Sequence, residues 1–152
     1  MHLGLAGLWL LLTSGGLVSF VIGLVMAFIL LALFQSVLGS EDYVRRTLAF
    51  LKFLYVFLRE FVVSNLVIAK AVMFRDVEDI HPNFITYDVE GLKDWEIFLL
   101  SQCITLTPGT TTVDLMDSGK TLIVHAFDAD DPDEVRKSID TSLKQAILRF
   151  SR

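Results

Sequence analysis

The chain has 152 residues, 53% of them hydrophobic, with a mean hydropathy of +0.58 and a formal net charge of −5. That balance is too apolar for an ordinary soluble domain of this size, and its acidity disfavours nucleic acid as a partner. A lone cysteine, Cys103, excludes an internal disulfide and makes a thiolate metal site implausible.

The excess of apolar residues is concentrated at the start. Residues 3–38 contain no Asp, Glu, Lys, Arg or His, and Gln35 is their most polar member. Such a run predicts at least one transmembrane helix. The opening Met1-His2-Leu3 lacks the basic residues of a secretory leader and no Ala-x-Ala site follows, so the segment is expected to be retained. As one helix the run measures about 54 Å, well beyond a hydrocarbon core of about 30 Å. Thr13-Ser14-Gly15-Gly16 is the natural break, which predicts a hairpin with a short first arm and a full-length second arm over residues 17–38. One long, tilted helix is the alternative. Without an ionisable residue, this segment is not expected to form an ion pathway by itself.

Residues 41–75 form an amphipathic segment. Arg45, Lys52, Arg59 and Lys70 are spaced to share one helical face, which Arg46, Glu60, Ser64 and Arg75 extend, while Leu48, Leu51, Leu54, Phe61, Leu66 and Ile68 lie outside it. The six basic residues here place this flank on the cytoplasmic side by the positive-inside rule. A helix along the membrane interface, or against partner helices, avoids burying those cations.

From residue 76 onward the composition is that of a soluble domain, with 15 acidic and 7 basic residues, a net charge of −8. The patterns predict β-α-β-β-α. Residues 84–89 alternate as a strand, and Gly91-Leu92-Lys93-Asp94 leads into a helix with Trp95, Phe98, Leu99 and Cys103 on one side. Residues 111–117 and 120–128 are strands joined at Ser118-Gly119, a register that sets Leu115 opposite Leu122 and Val113 opposite Val124. A last helix over residues 135–150 has Val135, Ile139, Leu143, Ala146, Ile147 and Phe150 as its apolar face. The predicted architecture is thus a membrane protein of α+β class: a helical anchor over 1–40, an amphipathic helix over 41–75, and a cytoplasmic domain over 76–152.

Three places invite a chemical reading. Asp114 and His125 are diagonal neighbours on the outward face of the hairpin, and a surface pair is preferred to a proton relay. His81, with Asp76, Glu78 and Asp79 upstream, lacks the second histidine or cysteine that a metal site requires. Thr107-Pro108-Gly109-Thr110 fixes a tight turn without phosphate-loop spacing. No nucleophile and base form a recognisable constellation, so neither a catalytic residue nor a cofactor is expected.

Three passages carry a resemblance: residues 59–69, including Ser64-Asn65; residues 103–110, with Leu106-Thr107-Pro108-Gly109-Thr110; and residues 122–128, with Val124-His125. In order and spacing they resemble the E subunits of the multisubunit Na+/H+ antiporters of the Mrp (Mnh) type. The resemblance implies a small plasma-membrane subunit with a cytoplasmic C-terminal domain, assembled with larger subunits that carry the ion pathways. It supplies no catalytic residues. Arg45, Lys52, Arg59, Ser64, Asn65, Thr107, Pro108, Gly109, Thr110, Asp114 and His125 are the candidate functional or interface positions, with other membrane subunits and the lipid bilayer as partners. A membrane-anchored binding domain outside any antiporter is the competing reading, and a membrane-bound enzyme using Asp114 and His125 is a third.

Overall fold

The computed structural model describes residues 1–13 and 15–152. They divide into two compact units, 1–48 and 49–152, with the boundary inside a long helix.

In the first unit, α1 (His2–Thr13) and α2 (Leu17–Leu33) pack side by side. The expected break lies between them, with Ser14 itself outside the described residues. Gly23 explains the closeness: a Cβ there would sit 2.9 Å from a Trp9 ring carbon and 3.1 Å from the Ala6 carbonyl oxygen. Ala6, Ala27 and Leu31 fill the seam, while Leu11, Leu12, Leu17 and Val18 face outward. The expected full-length second arm is corrected. Phe34, at φ −106° and ψ 23°, leaves helical geometry, so residues 17–38 are divided into α2 and a short α3 (Gln35–Leu38) that ends on left-handed Gly39. At 17 residues α2 is about 25 Å long. No described helix is long and apolar enough to cross a membrane. His2 adds polar contacts within this unit, its ring meeting the Leu24 carbonyl at 2.8 Å and the Tyr43 hydroxyl.

The helix that holds the unit boundary, α4 (Glu41–Phe74), is continuous over 34 residues. From Ala49 on it belongs to the second unit. A turn of 3-10 helix (Val77–Asp79) then leads into β1 (Asn83–Asp88), α5 (Asp94–Leu106), β2 (Thr110–Met116), β3 (Thr121–Ala126), α6 (Pro132–Ile139), a π-helical turn (Asp140–Lys144) and α7 (Gln145–Ser151). The three strands form an antiparallel sheet in the order β1-β3-β2, so the hairpin partner β3 is central and β1 and β2 are both edges.

The core lies on one sheet face. Tyr87, Leu122 and Val124 meet Ile97, Leu100 and Ile104 of α5 and Ile139, Leu143 and Ile147 of the final helical segment, with Phe53 of α4 completing the cluster. Ile139, Leu143 and Ile147 recur every four residues, which in an α-helix drifts about 40° per step. The π turn absorbs an extra residue between Ile139 and Ile147 and keeps that row on the sheet.

Two expectations are corrected here. Leu115 does stand opposite Leu122, but Thr112, not Val113, is the partner of Val124, because a bulge between Thr112 and Asp114 leaves Val113 unpaired and exposed. In α5 the buried row is Ile97, Leu100, Cys103 and Ile104, while Trp95 and Phe98 are exposed. The helix starts at Asp94 with the Glu96 carboxylate accepting the Lys93 amide at 2.8 Å.

Candidate functional site

Along residues 49–74, α4 presents three different faces. Phe53, Val56, Phe57, Glu60, Ser64 and Ile68, at three- and four-residue intervals, are buried or half-buried. Phe53 stacks with Phe57 and lies 5.2 Å from the Phe150 ring centroid, and Val56 and Phe57 pack on the core. The opposite face is exposed and apolar: Leu51, Leu54, Leu58, Phe61, Val62 and Leu66 form its row. Lys52, Arg59 and Lys70 run along a flank and are exposed, as is Arg45 in the first part of the helix. Arg45 pairs with Asp42 at 3.0 Å and Arg59 with Glu60 at 2.6 Å. An apolar row of this length is costly to leave in water.

Ser64 and Asn65 bond back to their own helix, Ser64 Oγ donating to the Glu60 carbonyl at 2.5 Å and Asn65 Nδ2 to the Phe61 carbonyl at 2.6 Å. The Thr107–Thr110 turn is brought to the same helix. Thr107 Oγ1 donates to the Cys103 carbonyl and Thr110 Oγ1 to that of Ile104, each at 2.8 Å, so both hydroxyls cap the end of α5. Pro108 precedes Gly109, whose φ of +97° favours glycine and where a Cβ would stand 3.1 Å from Ile68 Cδ1. The turn is therefore a close-contact surface against α4 as well as a connector.

Asp114 and His125 remain diagonal neighbours in the register, His125 lying two residues beyond Ile123 on β3, but their side chains turn to other partners. Asp114 stands opposite Ile123 and its carboxylate accepts the Leu115 amide at 2.8 Å, while the His125 ring meets Phe84 edge-on at 5.0 Å. Among the described residues no hydrogen bond or ion pair joins the two.

His81 finds its acids downstream of β3, not upstream. Its ring lies 2.8 Å from Asp130, its amide donates to Asp128 at 3.1 Å, and Arg75 pairs with Asp128 and donates to the Asp79 carbonyl. The Arg75 guanidinium and the His81 amide hold the Asp128 carboxyl below its usual range. This is a clasp between the end of α4, the linker and the loop after β3. A second cluster escaped sequence reasoning. The fully buried Glu96 accepts from Ser151 Oγ at 2.6 Å and from Arg152 at 3.2 Å, as well as from the Lys93 amide. Burial alone would raise its carboxyl, but these three donors bind the ionised form and carry it below the ordinary value. Its side-chain donors lie 55 and 56 residues away, which no local pattern reveals.

A family model described as "Na+/H+ ion antiporter subunit" matches residues 2–150. The chain belongs to this family. It is 30% identical to the E subunit of the Na(+)/H(+) antiporter of Bacillus subtilis, over 100% of this chain and 96% of that one. It is 31% identical to an E1 subunit of the Na(+)/H(+) antiporter of Staphylococcus epidermidis, over 93% and 89%. Among solved structures, a chain of the Mrp complex from Dietzia sp. superimposes with a TM-score of 0.52 at 27% identity, covering 68% of this chain and 96% of that one. A chain of the membrane-bound sulfane sulfur reductase, an archaeal respiratory membrane complex, does so with a TM-score of 0.51 at 25% identity, covering 86% and 82%. The resemblance read from residues 59–69, 103–110 and 122–128 is thereby borne out.

Proposed function

We propose that this chain is an accessory, non-enzymatic subunit of a multisubunit Na+/H+ antiporter in the plasma membrane, supporting assembly and exchange without carrying the ion path. The observation that carries this is the full-length family match, taken with an N-terminal unit that has no ionisable side chain from residue 3 to residue 38. A pathway for Na+ or H+ needs such groups within the bilayer, so the path belongs to other subunits.

In this reading the α1–α2 hairpin, extended by α3, is the anchor. It is apolar all round, and α1 and α2 would sit in the bilayer as a packed pair, neither being long enough to cross by itself. Beyond Ala49, α4 lies along the cytoplasmic interface. Phe53, Val56 and Phe57 are occupied by the folded domain, so this part of the helix is not free to be surrounded by lipid. Its outer apolar row faces the bilayer or partner helices, and Arg45, Lys52, Arg59 and Lys70 meet the headgroups. The basic flank directs residues 76–152 to the cytoplasm.

The test is affinity purification of the tagged full-length chain in mild detergent, beside a version ending at Arg75. The full-length chain is expected to bring down several polytopic subunits in an antiport-competent complex. The shortened one, stripped of the cover over Phe53, Val56 and Phe57, should stay in the membrane fraction and lose them. A full-length chain that purifies alone supports the membrane-anchored binding domain instead, and normal antiport with the shortened chain would overturn the assembly role.

A further inference from the structure

We propose that the groove between α5 and the edge strand β2 docks an extended, basic and partly apolar cytoplasmic segment of a neighbouring membrane subunit. The groove lies wholly within the second unit and encloses about 660 Å³. Its apolar lining is unusual for a free surface. Phe98, Val113 and Leu115 are 66%, 56% and 45% exposed, and all three line this one groove. Each is there for a local reason. The rotation of α5 that buries Ile97 and Leu100 turns Phe98 out, the bulge releases Val113, and Leu115 lies toward the turn end of β2, opposite Leu122.

The backbone of β2 is open along the same stretch. At its start the strand is closed off by α5, since Thr112 donates its amide to Thr105 Oγ1 at 3.1 Å and its hydroxyl to the Ser101 carbonyl at 3.2 Å. Further on, among the described residues, β2 has no neighbouring strand on this side. The Leu115 amide there is held by the side chain of Asp114, the next residue back, which a partner strand can displace. A groove beside a half-open edge suits strand addition, in which main-chain bonds supply affinity and alternate side chains enter the apolar lining.

Charge selects the occupant. Glu90, Asp94 and Asp114 line the groove, and Lys120, the one basic residue among the described lining, is already paired with Glu90 at 2.7 Å. Asp94 on the helix wall and Asp114 on the strand wall remain to meet cations. The cytoplasmic flanks of membrane spans carry an excess of Lys and Arg. Such a flank, with an apolar side chain beside its cations, complements a domain whose 15 acidic residues outnumber 7 basic ones. This inference rests on the reading of the chain as a subunit with a cytoplasmic domain.

The experiment places a photoreactive benzoylphenylalanine at Phe98, already an exposed aromatic position, and separately at Thr86 on the outer sheet face, in the intact complex. Irradiation is expected to link position 98, and not 86, to another subunit, through a segment that mass spectrometry finds to contain Lys or Arg. Asp94→Asn with Asp114→Asn should lower the yield at position 98 several-fold. An adduct to a second copy of this chain, equal yields at both positions, a segment without basic residues, or no adduct from an intact complex would each overturn the proposal. Failure of any other subunit to co-purify would instead overturn the subunit reading on which it rests.

Discussion

In residues 1–48 apolar side chains point outward from the helices on most sides, whereas in residues 49–152 they turn inward onto one face of a small sheet. Leu12 and Leu17 are 75% and 80% exposed, and Leu100 and Val124 are fully covered. The first unit is held by small seams, at Gly23 against Trp9 and at Ala27 and Leu31. The second has a contiguous core, a buried carboxylate with every donor supplied, and a surface rich in acids. The difference teaches that a chain can be hydrophobic in two regions and cover most of its apolar side chains in only one of them. In the proposed anchoring role, a hairpin with no polar side to turn outward meets a medium in which outward leucines are not penalised. A domain with alternating strands and charged turns is folded for water.

The largest expected effect is a test of that contrast in cells. In a Cys103→Ser background, a cysteine at Ser118 in the turn of the second unit should escape an impermeant thiol reagent in intact cells and react fully after permeabilisation. Labelling from outside would break the assignment of the domain to the cytoplasm. The native chain, which keeps Cys103, is a separate control: burial pushes that thiol up to about 11, so it should stay unmodified at neutral pH until the domain unfolds.

A smaller effect separates the two kinds of leucine. Leu100→Ala removes a fully buried side chain between sheet and helices and should cost about 2 to 5 kcal/mol, read as a lowered thermal midpoint for the purified chain in detergent. Leu12→Ala in the hairpin should leave that midpoint within error. Equal shifts would mean that the hairpin carries a core of its own.

The smallest concerns the buried carboxylate. Glu96→Gln weakens bonds from the Lys93 amide, Ser151 and Arg152, and should cost about 1 to 3 kcal/mol. Its folded carboxyl lies below the ordinary value of 4.5, so the unfolded chain binds more protons and stability rises with pH through that interval. The contribution is complete above about pH 4.5 and is lost as pH falls through the folded value. In an acid titration followed by tryptophan fluorescence, the variant should lack this part of the descent, and a parallel descent would show that Glu96 is not ionised in the fold.

Much of this molecule was legible from residue order alone. The uncharged run over residues 3–38, the glycine break, the basic spacing of Arg45, Lys52, Arg59 and Lys70, and the Leu-Thr-Pro-Gly-Thr passage all depend on composition and short-range periodicity, which need no partner to be read. The strand and helix order of the C-terminal domain was legible for the same reason, since alternation and four-residue recurrence are local. What only the tertiary structure decided involves residues far apart in sequence. The rotation of α5 depends on what Glu96 meets at Ser151 and Arg152, and the register past Leu115 depends on how Thr112 fits against Ser101 and Thr105. Likewise α4 looked like a helix with a polar and an apolar side, and it acquires a third face only because Phe53, Val56 and Phe57 find the folded domain. Local pattern sets which residues can share a face, but which face is buried is settled by the surface it meets.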